Sequence, residues 1–448
     1  MTTDLSIALV SREYPPFYGG GIGTYARWIV PALASEGVRV HVVTQAYDRT
    51  QPRVEVNGTV TVHRIPVGMG AGGWPNAALR FSLQAAKLVA SLYQSNRIQV
   101  AEFAECEAGA LSTLVLNRDR PPTVVQLHTP SEQLFVLRSL STQTLDVPHR
   151  VYFEAERLAM HLADEILAPS QFIADWAQQQ YRFSRSPTVI PYATPPLPEP
   201  PAAADAGSDP VLLFAGRIEP RKGVESLILA FNEVSRQHAR VTLRLAGGDT
   251  SGAPDGGSMR AYLQTIIEPH ARSRIHFLGR LNQDELAVEY ARSHICVIPS
   301  LWENFPNTCI ESMSSARAVL ASDQGGMAEM IGDSKGGRTF VAGDPRDLAR
   351  VMNEMLAEPQ TNLIERGRIA RSRIEHLCDP QRIARLRIQH FRHVIEKQAI
   401  KHVRPVQGTL SAWRGLEAAL LGNTSSFDLP PVSNGVDRWV QQAEACPC

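Results

Sequence analysis

Short apolar runs alternate along the chain with longer segments in which apolar residues recur at helical spacing. Residues 6–10, 211–215 and 295–298 are runs of four or five mostly apolar residues, bounded by polar residues, glycine or proline. Runs of this length and composition are typical of strands buried in a parallel sheet. Segments such as residues 24–35 and 224–234 then carry apolar residues every three or four positions. The pattern predicts repeated strand–helix units, and therefore an α/β fold.

A proline-rich segment divides this pattern into two halves. Residues 191–201 contain six prolines. With 448 residues, the chain is also too long for one ordinary hydrophobic core. We therefore predict two doubly wound, Rossmann-like domains, one over residues 1–195 and one over residues 210–380, joined by a linker at residues 196–209.

The end of the chain has two further parts. Residues 381–398 read as a long, basic, amphipathic helix. Residues 399–448 have weak patterning and a polar, proline-bearing tail. We expect this extension to be partly disordered.

Composition restricts the classes of protein to consider. Hydrophobic residues make up 44% of the chain and charged residues 20%, which is typical of a soluble globular protein. Lysine plus arginine equals aspartate plus glutamate at 45 each, so no overall field favours nucleic acid. No apolar run reaches the length of a membrane span, and the first residues do not resemble a signal peptide. We therefore expect a cytoplasmic protein that does not bind nucleic acid.

A glycine-rich loop is predicted between the first strand and the first helix. Gly21, Gly23 and Ala26 formally match the dinucleotide fingerprint G-x-G-x-x-A. About ten residues separate this match from the strand, and the second strand ends at Gln45 without an acid for a ribose. Both features disfavour a nicotinamide cofactor. The glycines either let backbone amides approach a phosphate or sugar, or form a flexible loop, and the residues alone leave both open.

A basic loop follows the predicted strand at residues 211–215. Gly216-Arg217 opens this loop and Lys222-Gly223 closes it, just before a predicted helix. Arg217 and Lys222 could reach a diphosphate from there, because the helix N-terminus adds favourable potential. An ordinary basic loop is the alternative, but the flanking glycines and the position favour anion binding.

An acidic pair follows the strand at residues 295–298. Glu303 lies in the loop after the strand, and Glu311 lies inside the next helix. We expect Glu303 to stay ionised, because a helix N-terminus favours negative charge. It can then accept hydrogen bonds from hydroxyls, while the amides of Asn304 and Phe305 donate to others. The alternative is a first-turn acid and a solvated helix residue.

With these motifs the chain resembles the retaining glycosyltransferases of family 4, which have the GT-B fold of two Rossmann-like domains across a cleft. Residues 303–311 match the E-x7-E signature of the family, and residues 216–223 match its G-R-x4-K-G element. The turn Gly325-Gly326 and the glycine loop at residues 19–23 are also similar to family elements. The resemblance covers about residues 5–395.

The resemblance implies a site for a nucleotide-sugar donor. It implies that the catalytic residues are Glu303, Arg217, Lys222 and His128, and that the donor-binding residues are Gly21, Gly23, Leu281, Asn304, Phe305, Glu311, Gly325 and Gly326. Arg217 and Lys222 would hold the diphosphate, Glu311 the ribose, and the backbone near Leu281 the base. Glu303, with the two amides that follow it, would hold the hydroxyls of the sugar.

The first domain would supply the other side of the site. His128 and the loop at residues 19–23 would close over the donor, and the helix at residues 381–398 would cross back to this domain. From its place after a strand alone, His128 could be a ligand contact or a plain loop residue. Three acids after the neighbouring strand are candidates for contacting the acceptor: Glu102, Glu105 and Glu107.

The implied reaction moves a hexose from a UDP- or GDP-sugar to a hydroxyl of a glycan, a lipid-linked glycan or a small molecule. Such a reaction would serve cell-surface polysaccharide or glycoconjugate biosynthesis. The leaving group is a nucleoside diphosphate, so catalysis requires stabilising negative charge on its departing oxygens. Arg217 and Lys222 could do this without a metal, and no D-x-D motif is placed to bind one. We expect neither a metal nor another cofactor.

Other interpretations stay open. A nicotinamide-dependent oxidoreductase is disfavoured, because the dinucleotide fingerprint begins too late after the first strand and no acid for a ribose follows the second strand. A non-catalytic nucleotide-sugar-binding protein would be expected to lack one of the site residues, and all are present.

The family often has Pro-Asn-Gly-Val-Asp where this chain has Pro191-Tyr192-Ala193-Thr194-Pro195, so the resemblance does not cover the hinge. Arg80, Lys87 and Arg138 suit peripheral contact with the inner face of a membrane, and a solvated face is an equally ordinary explanation.

Overall fold

The computed structural model describes residues 4–17, 20–48, 50–67, 73–116, 119–138, 147–195 and 209–398. The predicted linker falls almost entirely outside these residues, as do Gly19 and the predicted extension at residues 399–448.

The first half of the chain forms an eight-stranded sheet. Its strands are β1 Ser6–Val10, β2 Arg39–Ala46, β3 Val54–Asn57, β4 Val60–Pro66, β5 Val100–Ala104, β6 Thr123–Gln126, β7 Glu165–Ala168 and β8 Thr188–Val189. They lie in the order β3-β4-β2-β1-β5-β6-β7-β8. β3 pairs antiparallel with β4 at one edge, and the other neighbours are parallel. The fully buried β1, β6 and β7 explain why their sequences do not alternate.

Helices connect these strands, and the first of them corrects a predicted boundary. The helices are α1 Gly21–Ser35, α2 Gly73–Gln94, α3 Leu111–Leu116, α4 Ser131–Arg138, α5 Val147–Leu162 and α6 Gln171–Tyr181. The sequence predicts a loop as far as Gly23, but α1 already begins at Gly21. The reason is local: Gly20 is extended, and its carbonyl accepts the amide hydrogen of Thr24 at 3.2 Å.

The second half forms a six-stranded, wholly parallel sheet. Its strands are β9 Val211–Ala215, β10 Thr242–Ala246, β11 Ile275–Gly279, β12 Ile295–Ile298, β13 Ala318–Ser322 and β14 Gly337–Phe340. They lie in the order β11-β10-β9-β12-β13-β14. The order reverses direction between β9 and β12, so the loops after these two strands meet at a topological switch point, where open α/β sheets bind ligands.

The helices of the second half end with a crossing helix. They are α7 Val224–Gln237, α8 Met259–Ile266, α9 Gln283–Arg292, α10 Asn307–Ser314, α11 Met327–Ile331, α12 Pro345–Leu356, α13 Gln360–Leu377 and α14 Pro380–Gln398. α14 packs on α1 of the first half. Its Arg387 is fully buried there, and Nη1 lies 2.6 Å from Oε2 of Glu102 on β5.

Two Rossmann-like units joined by a crossing helix confirm the predicted fold class, while the domain boundaries stay a prediction. Among the helices within the described ranges, none is long and apolar enough to cross a membrane.

Candidate active site

Glu303 lies between β12 and α10, buried except for 9% of its surface. Its Oε1 lies 2.5 Å from Nζ of Lys222 and 2.8 Å from Nη1 of Arg221. Burial alone raises the pKa of a carboxyl group, but the two cations outweigh it and lower the pKa of Glu303 to about 2. Glu303 is therefore ionised, but for a reason other than the one that the sequence suggested. α10 begins only at Asn307, and cationic side chains rather than the helix N-terminus stabilise the charge.

The loop after β9 supplies these cations. Pro220 starts a short 3-10 turn, Pro220–Lys222, which presents two successive basic side chains to Glu303. Arg221 also donates to Oε1 of Glu219 at 2.9 Å. Arg217 is 53% exposed, and its Nη2 lies 3.2 Å from the same oxygen of Glu219. Three cations against two carboxylates leave a surplus of positive charge, which suits an anionic ligand.

Arg221 is a site residue that sequence reasoning missed. It is adjacent to Lys222 in the printed sequence, but only the 3-10 geometry turns both side chains toward one carboxylate. The signal in the sequence is Pro220 at the first position of the turn, because proline favours the start of a helical turn.

Two glycines allow the backbones of the site loops to approach closely. Gly223 has φ +66°, and a Cβ atom there would lie 1.8 Å from the carbonyl oxygen of Pro299. Gly325 has φ +85°, and a Cβ atom there would lie 1.7 Å from the carbonyl oxygen of Glu303. The amide of Gly326 donates to that same oxygen at 3.0 Å. The structure therefore places Gly325-Gly326 against the backbone of the Glu303 loop.

Glu311 and Leu281 lie around one buried tyrosine. Tyr290 donates its hydroxyl hydrogen to Oε2 of Glu311 at 3.1 Å. Leu281, partly buried, packs against the small cluster that contains Tyr290. Burial raises the pKa of Glu311 to about 7, although the hydrogen bond from Tyr290 acts in the opposite direction. Both residues predicted to contact the nucleoside therefore lie next to the cluster that contains Tyr290.

His128 follows β6 in the first sheet and is buried, with 7% of its surface exposed. Its Nδ1 lies 2.6 Å from the hydroxyl of Tyr192, and its amide donates to Oε1 of Glu105 at 2.7 Å. Nε2 is buried and has no hydrogen-bond partner among the described residues. Burial, and secondarily the charge of Arg387, lowers the pKa of His128 to about 3, so the imidazole is neutral.

The Glu303 loop contacts His128 across the two sheets. Nδ2 of Asn304 donates to the carbonyl of His128, and the hydroxyl of Ser170 donates to the carbonyl of Asn304 at 3.3 Å. The ring of Phe305 meets Tyr192 edge-on, with 5.4 Å between centroids. Asn304 and Phe305 therefore lie against His128 and Tyr192, between the carboxyl ends of the two sheets.

The predicted glycine contacts differ from one another. Gly21 is exposed, and no heavy atom of the described chain lies within 4 Å of the position of a Cβ atom there. Gly23 is buried in the first turn of α1.

The three predicted acceptor-side acids have different partners, and Glu102 lies within β5 rather than after it. Glu102 pairs with Arg387 and accepts the hydroxyl hydrogen of Tyr25 at 2.5 Å, so it fastens α14. Glu105 forms no ion pair with any residue that the structure describes, and no cation is among the causes of its pKa shift. Burial and the neighbouring Glu156 raise the pKa of Glu105 to about 8. Glu107 instead pairs with Arg12.

Two family models match adjacent parts of the chain. Residues 199–370 match the family model described as glycosyl transferases group 1, and residues 19–194 match glycosyltransferase family 4. The chain belongs to glycosyltransferase family 4. Within the described residues of this glycosyltransferase, no group of three or more His, Cys, Asp or Glu side chains could hold a metal ion.

Individual relatives of this glycosyltransferase are distant. The alpha-maltose-1-phosphate synthase of Mycolicibacterium smegmatis is 26% identical, over 79% of this chain and 91% of that protein. The D-inositol 3-phosphate glycosyltransferase of Pseudarthrobacter chlorophenolicus is 23% identical, over 89% of this chain and 97% of that protein. The structure of sucrose-phosphate synthase from Thermosynechococcus elongatus has a TM-score of 0.70 at 22% identity, covering 88% of this chain and 100% of that one. This last likeness confirms the GT-B fold.

Proposed function

We propose that this glycosyltransferase moves a hexose from a UDP- or GDP-sugar to a hydroxyl of an acceptor, with retention of anomeric configuration. The observation that carries the proposal is the buried ion-pair cluster of Glu303, Lys222 and Arg221 at the switch point of the second sheet. A carboxylate with a pKa of about 2 stays an acceptor for sugar hydroxyls at every physiological pH. The neighbouring cations suit the diphosphate of the same donor.

In this proposal Lys222 and Arg217 stabilise the negative charge that develops on the leaving diphosphate. The ammonium of Lys222 has three donors, of which Glu303 Oε1 takes one in the structure. Arg217 is half exposed, so its guanidinium can reorient toward a bound ligand. Charge-assisted contacts of this kind contribute about 1.5–3 kcal/mol each. The departing phosphate oxygen takes the proton of the acceptor hydroxyl on the same face, so no protein base is assigned.

Glu311 and Leu281 would hold the nucleoside in the same proposal. Glu311 would accept hydrogen bonds from the ribose hydroxyls, and the backbone near Leu281 would meet the base. Their arrangement supports this assignment, because Glu311 accepts the hydroxyl hydrogen of Tyr290 and Leu281 packs against the cluster that contains Tyr290.

The proposed acceptor is a glycan, a lipid-linked glycan or a small molecule, in cytoplasmic biosynthesis of cell-surface polysaccharide or glycoconjugate. Leu79 and Leu83 are exposed one turn apart on α2, and Lys87 is exposed one turn further. Apolar side chains beside a basic one support contact with an anionic membrane. Co-sedimentation with vesicles of anionic and of zwitterionic lipid tests this part. Binding that survives Leu83→Ser and Lys87→Ser together would contradict it.

The transfer itself is tested with the purified full chain. Candidate donors are UDP-glucose, UDP-N-acetylglucosamine and GDP-mannose, each offered with a set of glycan and small-molecule acceptors. Release of the nucleoside diphosphate and the proton NMR signal of the new anomeric centre are the readouts. An α-linked product from an α-linked donor supports the proposal. An inverted product would refute retention, and failure to bind any nucleotide sugar would refute the donor site.

A further inference from the structure

Tyr192 lies in the hinge between the two halves, where the family often has asparagine. The residue follows β8 and is only 5% exposed. Its ring lies among Tyr25, His128 and Phe305, with centroids 5.1, 5.4 and 5.4 Å away. The amide of Thr194 donates to the carbonyl of Cys378 at 3.0 Å, which fastens the hinge to the end of α13. This packing holds the Tyr192 hydroxyl at one position.

The position of that hydroxyl determines which nitrogen of His128 carries the hydrogen. The hydroxyl oxygen lies 2.6 Å from Nδ1 of His128 and 3.5 Å from the carbonyl oxygen of Leu127. The shorter distance is that of a strong hydrogen bond, and the longer one is at the limit for any hydrogen bond. Since a hydroxyl has one hydrogen and Nδ1 is much the nearer acceptor, we assign that hydrogen to the bond with Nδ1 rather than to the Leu127 carbonyl. The single hydrogen of the neutral imidazole is then on Nε2.

The resulting Nε2–H group has no partner in the described part of the chain. Buried donors are nearly always paired in native proteins, so this one marks a place for an atom of a ligand. The backbone of His128 is held from both sides, by Glu105 at its amide and by Asn304 at its carbonyl. Asn304 directly follows Glu303 in the chain. His128 therefore lies beside the loop that carries the proposed sugar-binding carboxylate.

We propose that Tyr192 is a positioning residue of this glycosyltransferase, whose hydroxyl holds His128 as the Nε2–H tautomer so that this group donates to the bound donor. The acceptor atom is a hydroxyl oxygen of the sugar or an oxygen of the diphosphate. The part of the proposal that concerns the donor rests on the proposed function. The part that concerns the tautomer rests on the contacts of Tyr192 alone.

The test is nitrogen-15 NMR of the histidine side chains in the full chain and in Tyr192→Phe, which keeps the ring and removes the hydroxyl. His128→Gln assigns the resonances. The wild type is expected to show a protonated Nε2 and a bare Nδ1, and Tyr192→Phe a mixture of the two tautomers. Tyr262→Phe is the matched control, because it removes a tyrosine hydroxyl bonded to Glu225 on the surface. The control is expected to leave the His128 signals unchanged.

Binding and kinetics connect the tautomer to the reaction. The nucleotide sugar is expected to shift the Nε2–H signal. An equal shift with the nucleoside diphosphate alone assigns the contact to phosphate, and a shift only with the complete donor assigns it to the sugar. Tyr192→Phe is expected to lower kcat/KM about two- to tenfold, as loss of one oriented hydrogen bond does.

Three results would overturn the proposal: a protonated Nδ1 in the wild type, an unchanged spectrum in Tyr192→Phe, or no response of the Nε2–H signal to a donor that binds. Failure of the wild type to bind any nucleotide sugar would instead refute the proposed function. The tautomer measurement would still test Tyr192 in that case.

Discussion

Two glutamates at the ends of parallel strands, Glu303 and Glu105, are both buried and lie on opposite sides of the same site. The pKa of Glu303 is lowered to about 2, and that of Glu105 is raised to about 8. Burial raises the pKa in both cases. Lys222 and Arg221 reverse this effect at Glu303, whereas the neighbouring acid Glu156 raises the pKa of Glu105 further. The partners of a buried carboxyl group, rather than its place in the fold, thus determine its charge.

This difference gives the two sides of the site different chemical properties. The second half presents an ionised carboxylate among cations, which suits a diphosphate sugar. The first half presents the neutral imidazole of His128 and the largely protonated Glu105, so these two groups add little charge on their side of the candidate site. The following predictions test that contrast.

Replacing Glu303 by glutamine should have the largest effect on transfer. The variant keeps the shape of the side chain but removes its charge, which leaves Lys222 and Arg221 with an unbalanced positive charge. We expect kcat to fall by at least about 100-fold, since the variant disturbs groups that stabilise the transition state. Initial rates with the identified donor measure this. A variant within threefold of the wild type would refute the role of Glu303.

Replacing Gly325 by alanine should also lower activity strongly. The new Cβ atom would lie 1.7 Å from the Glu303 carbonyl oxygen, so the loop must move by more than 1 Å to relieve the overlap. A displacement of this size costs about 100-fold in rate. Gly256→Ala is the control, because Gly256 also has positive φ but its Cβ position is open. Equal activities of the two variants would show that the loop tolerates the displacement.

The affinity for the donor should depend on pH through Glu311. Its pKa of about 7 means that the group gains a proton as the pH falls through neutrality and then accepts fewer hydrogen bonds from a ribose. Between pH 8 and 6 the KM for the nucleotide sugar should rise by up to about tenfold. Glu311→Gln should show a flat profile. A sloping profile in that variant would assign the pH dependence to another group.

Replacing Glu105 by glutamine should have the smallest effect. The carboxyl group is largely protonated at pH 7, and the amide oxygen of glutamine can still accept the hydrogen of the His128 amide. We expect kcat/KM within about threefold of the wild type at pH 7. A loss as large as that of Glu303→Gln would show that Glu105 acts as an ionised group, and the contrast between the two sides would disappear.

The sequence predicts most of the fold because it rests on local patterns. The apolar runs at Ser6–Val10, Val211–Ala215 and Ile295–Ile298 are strands with these bounds in the structure. The short strand Gly337–Phe340 is missing from the predicted elements, since glycine and arginine at its start break the apolar pattern.

The sequence indicates the residues of the proposed site but not the contacts between them. The motif spacing indicates Glu303, Glu311, Arg217 and Lys222. It does not show that Lys222 pairs with Glu303, because that contact joins loops after different strands. The bond between Tyr192 and His128 joins residues 64 positions apart and depends on the hinge conformation. The pKa difference between Glu303 and Glu105 depends on such contacts, so it could not be predicted from the sequence.

The most direct test of the proposed donor site is calorimetric titration of the full chain with UDP, GDP, ADP and NAD, without added metal. We expect one nucleoside diphosphate to bind, and its affinity to fall at least about tenfold in Lys222→Ala. Arg236→Ala is the matched control, because it removes a cation from an exposed ion pair with Glu268 and should leave the affinity unchanged. Binding of NAD with no response to the diphosphates, or equal affinities in wild type and Lys222→Ala, would contradict the proposed site.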